Sequence, residues 1–205
     1  MQGQDSTKAD NARRTPAWLL TAARELMYGI DLDPASDAEA QREVKARQWL
    51  GPGKDRGPGA ACVSPHIGQN GLASTWFGRV WLNPPGGKYD AQTLLPKAHG
   101  LGLSSAAVWW HKLTVEYLQG NVDQALFLCF SLNVFRTGQW PQTPAPYEFP
   151  FLVFKDRIRF PGSDGSRGES PNVDSALVYL PPRVGTDTAL AKFSLIFGQY
   201  GKVRI

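Results

Sequence analysis

Cysteine and histidine are scarce in this chain, and long apolar runs are missing. The two cysteines among its 205 residues, Cys62 and Cys129, share no Cys-x-x-Cys spacing. That argues against a redox pair or a zinc–thiolate site and for free thiols in a reducing, cytoplasmic compartment. The three histidines, His66, His99 and His111, lack the close spacing of metal ligands, so no metal is expected. No apolar run approaches the roughly 18–20 residues that a spanning helix needs, so no membrane partner is expected. The opening segment Met1-Gln2-Gly3-Gln4-Asp5-Ser6 lacks the apolar centre of an export signal. What is present is ordinary for a folded chain: 42% hydrophobic and 20% charged residues. The 21 glycines and 16 prolines point to long loops, and a net charge of +4 suits a polyanionic partner without requiring one.

The pattern predicts a flexible stretch over 1–14 and one α/β domain over 15–205, with long loops near 51–71, 138–150 and 162–174. Thr15-Pro16 reads as a helix start, a hydroxyl cap followed by proline at the first helical position. Trp18, Leu19, Ala22, Ala23 and Leu26 then share one helical face, and Gly29 closes the helix. A short strand runs from Ile30 to Asp33, and a second helix is expected over Asp37–Trp49. Later segments read as a helix over Tyr89–Gly100 disturbed by Pro96, a buried strand over Ser105–Trp110 and a helix from Val115. Ala125–Phe130 reads as a central parallel strand. Strands are expected at Phe151–Phe154, Arg157–Phe160 and Ala176–Leu180, and Ala191–Phe197 fits helix or strand equally. This alternation argues for a mostly parallel sheet finishing in antiparallel strands.

Two strand ends carry the candidate chemistry. In Gly78-Arg79-Val80-Trp81-Leu82-Asn83-Pro84-Pro85-Gly86-Gly87, the prolines cannot donate ladder hydrogen bonds, so the strand stops at Asn83. One amide and a set of backbone carbonyls are thereby held at the carboxyl edge of a sheet, where ligands bind in open α/β folds. An ordinary turn explains the same residues, since Asn, Pro and Gly are common turn formers. The other end is Asp31-Leu32-Asp33-Pro34-Ala35-Ser36. Its carboxylates suit a cationic amine or ribose hydroxyls, and it also reads as a surface Asp-Pro turn; no Gly-x-Gly fingerprint accompanies it.

The Asn83-Pro84-Pro85 run resembles the Asp/Asn-Pro-Pro-aromatic motif of methyltransferases acting on exocyclic amines. With Thr15-Pro16 before a helix and Asp33-Pro34-Ala35-Ser36 at a strand end, it resembles the phage-type, Dam-like DNA N6-adenine methyltransferases in particular. Lys155-Asp156-Arg157-Ile158-Arg159-Phe160, Ser170-Pro171-Asn172 and Ser175-Ala176-Leu177-Val178-Tyr179 extend the likeness to roughly residues 15–180. The resemblance implies a Rossmann-like fold and S-adenosylmethionine as cofactor. It implies contacts to that cofactor from Thr15, Pro16, Asp31, Asp33, Pro34, Ala35 and Ser36. It also implies that Asn83, with Pro84 and Pro85, holds the target amine of a DNA base.

Gly86 departs from the pattern, because the family carries a stacking aromatic there. Tyr89, Trp109 or Trp110 could substitute, although the two tryptophans also suit a core. Lys155, Arg157, Arg159 and Arg167 are candidate phosphate contacts, the first three alternating along one strand face; a solvated outer face explains them as well. The reading is DNA-amine methylation, most simply at adenine N6. The alternatives are methylation of another amine such as cytosine N4, or a catalytically altered DNA-binding accessory protein.

Overall fold

The computed structural model describes residues 14–51, 66–68, 70–90, 96–97, 102–160 and 174–205. Helix α1, Ala17–Met27, buries Leu19, Leu20, Ala22, Ala23, Leu26 and Met27, the face that the spacing predicts. Its ends depart from expectation. Pro16, not Thr15, is the capping residue, and no side chain caps the helix, because the Thr15 hydroxyl bonds Asn83 instead. At the other end Tyr28 takes the left-handed conformation (φ 58°), one residue ahead of Gly29. The Arg79 guanidinium stabilises this ending by donating to the Met27 and Tyr28 carbonyls at 3.0 and 2.6 Å.

Strand β1 is Leu32–Asp33. The expected helix over Asp37–Trp49 shrinks to α2, Gln41–Val44, followed by strand β2, Gln48–Leu50. The reason is the Gln41 side chain. Its Oε1 accepts from the Ala46 amide at 3.1 Å, turning the chain back so that Arg47 and Gln48 pair with Ile30 and Asp31. Strand β3, His66–Gly68, lies inside the stretch read as loop, most of which is outside the described residues. Strand β4, Gly78–Leu82, stops before Asn83-Pro84 as the prolines require.

Strands β5 (Lys88–Tyr89), β6 (Pro96–Lys97) and β7 (Leu103–Ser104) form a small antiparallel sheet; of the helix expected over Tyr89–Gly100, Tyr89 and Pro96–Lys97 are strand, and 91–95 and 98–100 lie outside the described residues. Helix α3, Ser105–Leu118, replaces the strand expected at Ser105–Trp110. Its run of apolar residues is buried nearly all round, which removes the periodicity that separates helix from strand. Strand β8, Val122–Cys129, is parallel to β4 but antiparallel to its other neighbour, so it is where the sheet changes direction, not the middle of a parallel set. After α4 (Leu132–Thr137) come β9 (Phe151–Phe154), β10 (Ala176–Leu180), helix α5 (Thr186–Phe197) and β11 (Gly201–Arg204). Arg157–Phe160 is irregular, not a strand. The expectations for residues 1–13, 162–173 and Cys62 lie outside the described residues.

The main sheet runs β11-β9-β10-β8-β4-β1-β2-β3, parallel from β8 to β3 and antiparallel from β8 to β11. This is a mixed α/β architecture with a mostly parallel centre and antiparallel C-terminal strands. One face, carrying Trp81, Leu126, Leu128, Leu177 and Tyr179, packs under α1 and α5. The other, carrying Val80, Leu82, Ala125, Phe127 and Val178, packs under α3. The alternation along each strand divides the core into two layers. No helix among the described residues is long and apolar enough to cross a membrane.

Candidate functional site

The chain leaves β1 toward β2 through α2, which packs on the α1 face, and leaves β4 toward β8 through α3 on the opposite face. Right-handed crossovers running in opposite directions require this. They also part at the carboxyl ends of β1 and β4, opening the crevice at which doubly wound sheets bind ligands. Asp33-Pro34 and Asn83-Pro84 stand at those two neighbouring ends.

Asn83 is half-buried, and its Nδ2 donates to Thr15 Oγ1 at 3.1 Å. Helix α1 thus begins directly beside the end of β4, and Thr15 and Pro16 are both buried there. With its donor end anchored, the amide presents Oδ1 as an acceptor. Neither that oxygen nor the Pro84 carbonyl accepts a hydrogen bond among the described residues. The turn itself is fixed from α3: the Ser105 hydroxyl donates to the Pro85 carbonyl, and the Ser105 amide to the Gly87 carbonyl at 3.0 Å. Ser105 carries no sequence signal of this role, since the strand expected there hides a helix N-terminus.

Asp33 lies at the crevice but faces inward, 3% exposed. Gln41 Nε2 donates to its Oδ2 at 2.9 Å and to Ser36 Oγ at 2.7 Å, while the Ala35 amide reaches Asp33 Oδ1 at 3.3 Å. Two donors on the carboxyl and a third bond to Ser36 hold the Asp33–Ser36 turn. Burial pushes the Asp33 carboxyl up to about 7, against the opposing pull of Ser36 and the Ala35 amide. Gln41, fully engaged at 1% exposure, is the organising residue that sequence reasoning missed. A glutamine eight positions on has no motif to announce it.

The raised Asp33 value has a testable sign. The folded state retains a proton that the unfolded chain gives up near pH 4, so this group's contribution to stability is complete below about pH 4. It declines as pH rises toward about 7, the folded value. Asp33→Asn should flatten that decline in unfolding free energy measured across the window. An unchanged pH profile would show that the carboxyl is not buried as described.

Asp31 is elsewhere. It precedes β1 at the opposite edge of the sheet, where Arg79 Nε and Nη2 reach its two carboxylate oxygens at 2.6 and 2.8 Å and the Arg79 amide adds a third bond at 3.0 Å. The Arg79 hydrogen bond, followed by backbone and charge effects, holds its carboxyl below the usual carboxylate range despite burial. The expectation pairs Asp31 with Asp33 at one site; the structure engages Asp31 with Arg79 just ahead of β1, while Asp33 ends that strand at the crevice. Asp31→Ala should cost about 1–2 kcal/mol: it removes a charge-assisted pair, while the Arg79 guanidinium, 20% exposed, keeps the Met27 and Tyr28 carbonyls. Thermal unfolding would measure that loss, and the wild-type contribution should vanish as pH falls through the depressed Asp31 value. Ligand affinity at the crevice should not follow it.

Tyr89 and Trp109 do not line an open pocket. They are 6% and 5% exposed, Trp109 Nε1 donates to the Tyr89 hydroxyl at 3.3 Å, and Trp109 stacks on Trp76 at 6.1 Å. Trp110 is wholly buried against Phe127 and Phe149. The expected substitutes for an aromatic at Gly86 are core residues.

Lys155, Arg157 and Arg159 lie beyond β9 in irregular chain, yet all three are exposed because Ile158 and Phe160 turn inward between them. Arg157 pairs with Asp174 at 3.1 Å, an exposed contact of little energetic weight. Arg167 is outside the described residues. Sheet register puts the end of β9 on the same edge as Asn83: Leu82 lies beside Phe127, and Cys129, Ala176 and Val153 are aligned across β8, β10 and β9. At about 4.8 Å per strand, the three steps from β4 to β9 span roughly 14 Å.

Among the described residues, no group of three or more His, Cys, Asp or Glu could hold a metal ion. No protein-family model matches the chain, and no curated protein matches it. Among solved structures, it is similar to a chain from work on the "structural basis underlying complex assembly and conformational transition of the type I R-M system", with 14% identity and a TM-score of 0.45. That match covers 82% of this chain and 42% of the other, so this chain spans less than half the length of the structure it matches.

Proposed function

We propose that the chain transfers a methyl group from S-adenosylmethionine to an exocyclic amine of a DNA base, adenine N6 being the first choice. The observation that carries this reading is the pairing of Asp33-Pro34 and Asn83-Pro84 across the crevice between β1 and β4, with the Asn83 amide anchored by Thr15 so that its oxygen is presented. The donor set fits the cofactor in part. Thr15 and the Pro34–Ser36 turn would border it, with the buried Asp33 carboxyl fixing that turn from within, and Asp31 would not. S-adenosylmethionine would supply an electrophilic methyl group and depart as S-adenosylhomocysteine, the amine giving up one proton.

The chain's own part is positioning. Asn83 Oδ1 and the Pro84 carbonyl accept the two amine hydrogens, favouring a pyramidal nitrogen whose lone pair points away from the ring. Pro85 and Ser105 keep those acceptors from moving. The target base leaves the stack to reach this edge, and the exposed Lys155 and Arg159 on the same edge supply salt-sensitive phosphate contacts.

Incubating the protein with labelled S-adenosylmethionine and DNA, then analysing the digested nucleosides by mass spectrometry, tests this directly. N6-methyldeoxyadenosine supports the reading, N4-methyldeoxycytidine redirects it to the other amine, and no methylated nucleoside overturns it. One observation favours the accessory-protein alternative: Gly86 lacks an aromatic, and Tyr89 and Trp109 are buried in the core. Calorimetric titration with S-adenosylmethionine separates the two, since an accessory protein of this kind need not bind the cofactor.

A further inference from the structure

Trp18 sits in the first turn of α1, three residues after Thr15, and is 39% exposed although every other large apolar residue of that helix is buried. Its ring lies 4.4 Å from that of Tyr200 and meets Phe154 edge-on at 6.2 Å. Tyr200 immediately precedes β11, and its carbonyl accepts from the Lys155 amide at 3.0 Å. Gly201 pairs with Phe154, so this aromatic pair stands at the same sheet edge as Asn83. Below it, a groove of about 360 Å³ runs between α1 and α5, with Thr21, Glu25 and Gln199 contributing polar groups to its walls. Lys155, whose amide bonds the Tyr200 carbonyl, is exposed and has no carboxylate partner among the described residues.

We infer that Trp18 and Tyr200 form a stacking platform for an unpaired nucleobase neighbouring the one held at Asn83. The inference rests on the nucleic-acid reading above and adds a second base-binding position to it. A partly exposed indole backed by a second ring offers a flat π-face at little entropic cost, because its neighbours already fix it. The Glu25 carboxylate suits an exocyclic amino group, and the Gln199 amide can donate or accept at a base edge. Lys155 matches the phosphates that arrive with the base. An apolar helix of a partner protein fits less well, since Thr21, Glu25 and Gln199 interrupt the apolar wall of Ala22, Leu195 and Ile196.

The test is fluorescence anisotropy with a labelled short single-stranded oligodeoxynucleotide, over a range of salt, on wild type, Trp18→Leu and Trp18→Phe. Circular dichroism confirms that each variant is folded. Leucine keeps the apolar contact with Tyr200 and removes the π-face. It should weaken binding roughly five- to a hundredfold, the range of base–aromatic stacking, with the salt slope unchanged because no phosphate contact is lost. Phenylalanine should restore most of the affinity. Equal affinity in wild type and Trp18→Leu overturns the platform and leaves the proposed methyl transfer standing. Failure of wild type to bind any oligonucleotide overturns both. A wild-type dimer that Trp18→Leu converts to monomer, with oligonucleotide affinity unchanged, shows instead that the groove seats a second copy of the chain and overturns the inference.

Discussion

Gly71→Ala is expected to lower thermal stability by about 3 kcal/mol, at the upper end of what overpacking costs. A Cβ at position 71 would lie 1.9 Å from the Pro34 carbonyl oxygen and 2.9 Å from Trp109 Cη2. The first neighbour is backbone and the second is a ring already stacked on Trp76, so neither can swing aside. Trp76 adds a further restraint by donating from Nε1 to the Gly71 carbonyl at 2.7 Å. For a chain of this length the loss corresponds to roughly 6–12 °C in Tm, read by circular dichroism. Gly51→Ala should act in the same direction, since its Cβ would fall 1.8 Å from the Ser36 carbonyl oxygen at a φ of +154°. On the proposed function, both variants also displace the turn that holds the cofactor, so affinity for S-adenosylmethionine should fall along with Tm. A Tm within a degree or two of wild type for both would show that this turn is not clamped.

Those two glycines explain why part of the fold was legible in the sequence and part was not. Proline punctuation and helical periodicity act over a few residues, so α1, the end of β4 at Asn83 and the strands at Phe151 and Ala176 could be read directly. The glycine-rich stretch after Leu50 reads as filler because its purpose is non-local. Its two ends press on Pro34 and Ser36, which are remote in sequence. The same blindness applies to Gln41 and Arg79, whose partners are set by how strands stack. Asp31 and Asp33 look like one acidic pair in sequence, yet Arg79 takes the first at one sheet edge and Gln41 the second at the other. Trp109 and Trp110 defeat pattern reading differently, since a helix buried all round has no periodicity to show. Of the candidate site, the sequence exposed its two strand ends and Thr15. It did not show which atoms of those residues are already engaged.

Asn83→Ala is expected to reduce methyl transfer by at least a hundred- to a thousandfold, with little change in fold or in affinity for S-adenosylmethionine. Stability should barely change, because the side chain is half-buried and its single described hydrogen bond, to Thr15, is one neutral contact worth about 1 kcal/mol. Turnover should collapse for a different reason. The proposed contact from Oδ1 strengthens only as the amine becomes pyramidal, so its loss falls on kcat and not on ground-state binding. Removing a comparable charge-stabilising group in other enzymes costs about 2.7–4 kcal/mol. Thr15→Val provides the companion measurement. It keeps Asn83 but removes the hydroxyl that orients the amide, so activity should drop by less than in Asn83→Ala, again mainly in kcat. Gly86→Tyr tests the missing aromatic. If the pocket receives a flipped adenine, the tyrosine should raise transfer to it; if glycine makes room for another group, the tyrosine should block the native reaction. Undiminished transfer in Asn83→Ala would sink the proposed function, because no other acceptor side chain among the described residues stands at the end of β4.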